Sequence, residues 1–116
     1  MRETKKAVKI ISELMTYFFD QNAKDIEIKF HSDDVGEEKE YEIIIEGLIE
    51  YLSDEELSKL RESLNTSREA QVEEYYWELA GEGNNSREMS LVGMLVDNSV
   101  VEYKNNYLKI TLWRQD

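Results

Sequence analysis

The stretch DIEIKFHSDDVGEEKEYEIIIE, residues 25–46, decides the fold. From 25 to 32 the chain alternates, with Ile26, Ile28 and Phe30 on one side and Glu27, Lys29 and His31 on the other, the period of a half-buried strand. A polar run with one glycine, Ser32 to Glu38, separates it from a second strand over 41–46 centred on Ile43, Ile44 and Ile45, so the two segments predict a hairpin. Upstream, residues 6–21 change period. Ala7, Ile10, Ile11, Leu14, Met15, Phe18 and Phe19 recur at helical spacing and make one wide apolar stripe. Downstream, Ser53-Asp54-Glu55-Glu56 is a capping box, in which the serine accepts from the Glu56 amide and the glutamate reaches back to the serine amide. It opens a helix with Leu57, Leu60 and Leu64.

A third helix over 67–80 carries Val72, Tyr75, Tyr76 and Leu79, and Gly81-Glu82-Gly83-Asn84-Asn85 ends it in a loop. Asn85 and Glu88 then cap a fourth helix with Met89, Leu91, Val92, Leu95 and Val96. The chain closes on a second hairpin, 100–104 and 107–113, around an Asn105-Asn106 turn suited to type I′ geometry. The order α-β-β-α-α-α-β-β lacks regular βαβ alternation. It predicts an α+β fold, a two-layer sandwich with helices on one face of a mixed, mostly antiparallel sheet. Residues 1–116 read as a single domain without repeat or linker, since one core typically occupies about 100–200 residues.

Charge and composition narrow the function. With 26 acidic and 14 basic residues the net charge is −12, and it is unevenly spread: residues 33–82 hold 17 acidic and 4 basic side chains. Such a field repels phosphate backbones, which argues against nucleic acid and anionic membranes as partners; basic proteins are compatible with it, although most acidic surfaces serve only solubility. No cysteine is present, which excludes disulfides, thiolate metal sites and cysteine nucleophiles and fits a reducing cytoplasm. No apolar run approaches the roughly 20 residues of a membrane span, and Met1 leads into Arg2, Lys5, Lys6 and Lys9 without a signal-like apolar core.

Few residues suggest chemistry. His31, the single histidine, falls on the polar side of its strand and reads as a surface side chain rather than a base or ligand. Asp33, Asp34, Glu37, Glu38 and Glu40 lack the spacing of a calcium loop and read as a solvated turn. No phosphate-binding glycine loop and no nucleophile elbow occurs. The run Tyr75-Tyr76-Trp77 covers about 200° of a helix, so at least one ring lies outside a narrow core stripe. Internal packing and a partner contact both account for that ring, and Trp113 at the end of the last strand carries the same two readings.

The succession of elements resembles the ATP-binding domain of the GHKL superfamily, which includes histidine kinases, anti-sigma-factor kinases and gyrase. Ser12-Glu13-Leu14-Met15-Thr16-Tyr17 followed by Asp25-Ile26-Glu27-Ile28 looks like the N-box helix and its strand. Residues 41–46, then Leu52 to Leu57 and Leu60-Arg61-Glu62, look like the strand, loop and helix around the D-x-G-x-G box. Met89 to Val96, leading into Leu108 to Leu112, looks like the helix after the ATP lid and the last strand.

The resemblance also marks what has changed. Tyr17 stands where the family keeps an asparagine that helps hold magnesium, and tyrosine offers no amide carbonyl. Gly47 falls on the adenine-binding aspartate, while the neighbouring Glu46 points the other way from a strand. The two box glycines correspond to Ile49 and Tyr51, whose side chains are expected to intrude on the nucleotide. Ser86 and Glu88 replace lid glycines, and a carboxylate facing a triphosphate is repulsive. Glu13 matches a water-activating glutamate of related ATPases, but without those neighbours it reads as a helix-surface residue.

The expected function is therefore a cytoplasmic, non-catalytic regulatory or adaptor protein, of a bacterial signalling kind, that binds a protein partner and needs no cofactor or metal. Two alternatives stand beside it. One is an ATP-binding kinase or ATPase using a variant pocket with Glu13, Glu46 and the loop of Gly81 and Gly83. The other is a small-molecule sensor whose vacated pocket is made apolar by Tyr17, Ile49 and Tyr51. A homodimer through the first helix stays open if the sheet does not cover its stripe.

Overall fold

A computed structural model describes residues 3–65 and 88–115. Helix α1, Glu3–Asp20, leads into strands β1, Lys24–Val35, and β2, Glu38–Leu48. Helix α2, Asp54–Leu64, is followed among the described residues by a short helix α3, Glu88–Gly93, and strands β3, Asn98–Lys104, and β4, Tyr107–Gln115. The helix expected over 67–80 lies outside the described residues.

The fold is α+β, with the four strands in one sheet of order β1-β2-β4-β3. Every neighbouring pair is antiparallel, so the expected mixed sheet is corrected to an antiparallel one. The first two strands run longer than their apolar alternation. Asp33 and Asp34 pair with Glu40 and Lys39, because a ladder is held by backbone groups and continues where no core side chain marks it. The hairpin closes at Val35 and Glu38 around Gly36, whose φ of +68° suits the first central position of a type II′ turn. Asn105 and Asn106, at φ +54° and +67°, form the type I′ turn that their sequence predicts.

Helix ends follow local chemistry. Asn22, at φ +59°, ends α1 in a Schellman arrangement: its amide donates to the Phe19 carbonyl, and the Ala23 amide to that of Phe18. Ser53 caps α2 by accepting from the Glu56 amide at 3.1 Å. Helix α3 stops at Gly93, earlier than expected. Leu95 and Val96 leave the helix, and Leu95 turns its amide back to the Val92 carbonyl while both side chains stay buried.

The core gathers Ile10, Leu14 and Phe18 of α1, Leu60 and Leu64 of α2, and Met89 and Val92 of α3 onto the sheet. It takes alternate positions of the central strands, Ile43 and Ile45 of β2 and Leu108, Ile110 and Leu112 of β4. The intervening residues of β2, Glu42, Ile44, Glu46 and Leu48, project from the opposite side and are half-buried. Edge strand β3 is tied to α2, where the Arg61 guanidinium donates to the Val101 carbonyl at 3.1 Å and the Ser99 hydroxyl to that of Leu64 at 3.2 Å. Among the described residues no helix is long and apolar enough to cross a membrane.

Candidate functional site

Two places bring the singled-out residues together. The first lies where α1 passes over the end of β2. Gly47 is on the core side of the sheet, opposite Leu108. A Cβ there would lie 2.9 Å from Cδ2 of Phe18 and 3.3 Å from Cγ1 of Ile26, so the Phe18 ring occupies the space a side chain would take. Tyr17, beside it, is buried, and its hydroxyl donates to Oε1 of Glu56 at 3.0 Å, with the Gln21 amide 3.5 Å from the same oxygen. Burial first, then the Glu56 charge and the bond to it, hold the Tyr17 phenol well above the usual tyrosine range. Glu56 thus turns toward α1, in place of the expected return bond to the Ser53 amide.

Glu13 corrects its expected surface position. It is only 6% exposed, because the site four residues before Tyr17 shares the flank of α1 that faces α2. Ile49 is buried in the core, with its amide donating to the Asn106 carbonyl at 2.7 Å and its carbonyl accepting from the Tyr103 hydroxyl at 2.6 Å. Tyr51 does not intrude on anything: it is 82% exposed. The expected apolar pocket of Tyr17, Ile49 and Tyr51 is therefore not assembled. A cleft of about 430 Å³ does adjoin Tyr17, and its walls are mixed, with Glu56, Lys59, Glu62, Ser63 and Ser90 beside Leu60 and Met89. Glu46 pairs with Glu27 and Lys109 on the far side of the sheet, away from Tyr17. Glu88 is the first residue of α3. Ser86, Gly81, Gly83 and the Tyr75-Tyr76-Trp77 run lie outside the described residues.

The second place is on the sheet face turned away from the core. Trp113, half-buried on β4, stands opposite Glu42 of β2, which pairs in turn with His31 of β1. The indole donates to Oε2 of Glu42 at 2.8 Å, which fixes the ring against the strand. Two shallow hollows meet at this ring. One of about 330 Å³ is lined by His31, Ser32, Asp33, Glu40 and Glu42 besides Trp113. The other, of about 320 Å³, adds Asp97, Asn98, Gln115 and the buried Arg114, whose guanidinium donates to the Leu95 carbonyl at 2.7 Å. An aromatic face bordered by carboxylates is matched to a cation, above all a guanidinium that can stack and hydrogen-bond at once. His31 is exposed in this row, as its alternation predicts. Among the described residues no three histidine, aspartate or glutamate side chains are placed to hold a metal ion.

Sequence reasoning singled out Trp113 but missed its anchor, since Glu42 and Trp113 are 71 residues apart and only strand register joins them. It likewise saw Tyr17 and Glu56 separately, with no local signal linking positions 39 apart. Comparison of the chain with protein-family models, with curated proteins and with solved structures finds no match.

Proposed function

We propose that this protein is a cytoplasmic, non-catalytic regulatory or adaptor module of a bacterial signalling kind, built as one GHKL-like two-layer domain with helices on one face of the sheet, which no longer takes ATP. The observation that carries this proposal is the Phe18 ring seated on Gly47. In the GHKL resemblance that position supplies the carboxylate for adenine; here it has neither the carboxylate nor the room. Tyr17 adds to this, since its hydroxyl is committed to Glu56.

The working surface of such a module is then the sheet face around Trp113, and its partner a protein segment rich in arginine or lysine. The flanking carboxylates Asp33, Glu40 and Glu42 favour that partner over a phosphate backbone. The test is titration of the full chain with an arginine-bearing peptide, followed through the indole resonance of Trp113 in a nitrogen-labelled sample. A saturable shift of that resonance, absent with a glutamate-bearing peptide of equal length, supports the function; an unmoved indole contradicts it.

One observation favours a second function. The cleft beside Tyr17 is lined by charged and hydroxyl groups together with Leu60 and Met89, which suits a small amphipathic ligand rather than the wholly apolar one that its sequence suggests.

A further inference from the structure

The cleft beside Tyr17 is walled by α1, α2 and α3, and its charges narrow the kind of ligand it takes. Leu60 and Met89, both almost fully buried, form its floor. On α2, Glu56, Lys59, Leu60 and Ser63 stand at i, i+3, i+4 and i+7, the spacing that keeps side chains on one flank of a helix. Glu56 is half committed. Its Oε1 accepts from the Tyr17 hydroxyl at 3.0 Å, with the Gln21 amide 3.5 Å away, while its Oε2 makes no bond among the described residues. A phenol that donates its proton keeps lone pairs on its oxygen, so Oε2 and the Tyr17 oxygen are two acceptors side by side.

Two carboxylates, Glu56 and Glu62, line this cleft against one ammonium, Lys59. That ammonium lies 3.4 Å from Oε1 of Glu55, a residue outside the lining, and is already offset by it. Arg61, the other basic residue of α2, turns to β3 and donates to the Val101 carbonyl. Negative charge therefore stands uncompensated over an apolar floor. We infer that the cleft binds a small organic ammonium, its apolar body on Leu60 and Met89 and its head donating to Oε2 of Glu56 and the Tyr17 oxygen. Glu62 adds attraction at longer range, and a carboxylate or phosphate ligand meets the same field as repulsion. The inference rests on the second function above, a small ligand in this cleft, and adds the charge of that ligand.

Phenethylamine, phenethyl alcohol and hydrocinnamate have similar apolar bodies and differ in the charge of the head, so they separate the ligand's charge from its shape. Each is titrated near neutral pH into the full chain labelled at its methionine methyls, and the Met89 resonance is assigned by its absence in Met89→Leu. Phenethylamine is expected to move that resonance saturably, in the high-micromolar to millimolar range usual for a ligand so small. The alcohol is expected to bind about tenfold more weakly and the carboxylate not at all, with added salt weakening the amine alone. Glu56→Gln, which leaves Tyr17 an acceptor, is expected to weaken the amine about tenfold. Glu62→Lys, at an exposed site, is expected to keep the melting temperature within a few degrees and to weaken the amine several-fold. Alcohol or carboxylate binding as strong as that of the amine, or amine binding indifferent to both variants, overturns the ammonium and leaves the ligand site standing. A Met89 methyl that none of the three probes moves overturns both.

Discussion

The hydroxyl of Tyr17 donates to Oε1 of Glu56, joining the last full turn of α1 to the first turn of α2. The phenol is buried and the carboxylate only partly so, so the bond replaces water that Tyr17 has lost. Tyr17→Phe is expected to destabilise the fold by about 1.5–3 kcal/mol in urea unfolding, the usual range for a hydrogen bond to a charged group.

The same pair sets an alkaline limit. Tyr17 keeps its proton in the folded state beyond the ordinary tyrosine value near 10, so above that pH the unfolded chain binds fewer protons than the folded one. The contribution is fully present below about pH 10 and is lost as pH rises through the folded value. Unfolding free energies of the native protein and Tyr17→Phe, compared from pH 8 to 11, are expected to differ by a constant amount up to about pH 10 and to begin drawing together above it.

Gly47 is required by Phe18. Gly47→Ala places a methyl 2.9 Å from the ring and is expected to cost about 1–3 kcal/mol as the ring is displaced. Gly47→Asp adds a carboxylate among Phe18 and Ile26 and is expected to lower the melting temperature further, without conferring nucleotide binding.

Strand Ile43–Ile45, helix α1, the Ser53 cap and the Asn105-Asn106 turn were legible because each is written in a local pattern of period, cap or left-handed residue. The extra length of β1 and β2 was not, since Asp33 and Asp34 join the ladder through backbone groups that leave no trace in hydrophobicity. Burial of Glu13 and exposure of Tyr51 also escaped, because both depend on which flank meets another element and not on side-chain type. At the candidate sites, residue types were readable and their partners were not: Glu42 reaches Trp113, and Glu56 reaches Tyr17, only after the chain has folded.

The type I′ turn gives a local check. Asn106 sits at φ +67°, where a β-branched side chain is strained. Asn106→Val is expected to lose about 1–2 kcal/mol, and Asn106→Gly to be neutral or stabilising, in paired thermal melts.

Glu42 positions the Trp113 ring and also supplies charge to its face. Glu42→Gln keeps the shape and removes the charge. It is expected to weaken binding of an arginine-bearing peptide several-fold and to flatten its salt dependence, with Trp113→Ala weakening it further.

The most direct measurement is calorimetric titration of the full chain with ATP and magnesium. With Phe18 seated on Gly47 and Tyr17 bonded to Glu56, no saturable heat is expected up to about 1 mM nucleotide. Saturable binding tighter than about 100 μM, more than 5 kcal/mol of affinity, would contradict the account.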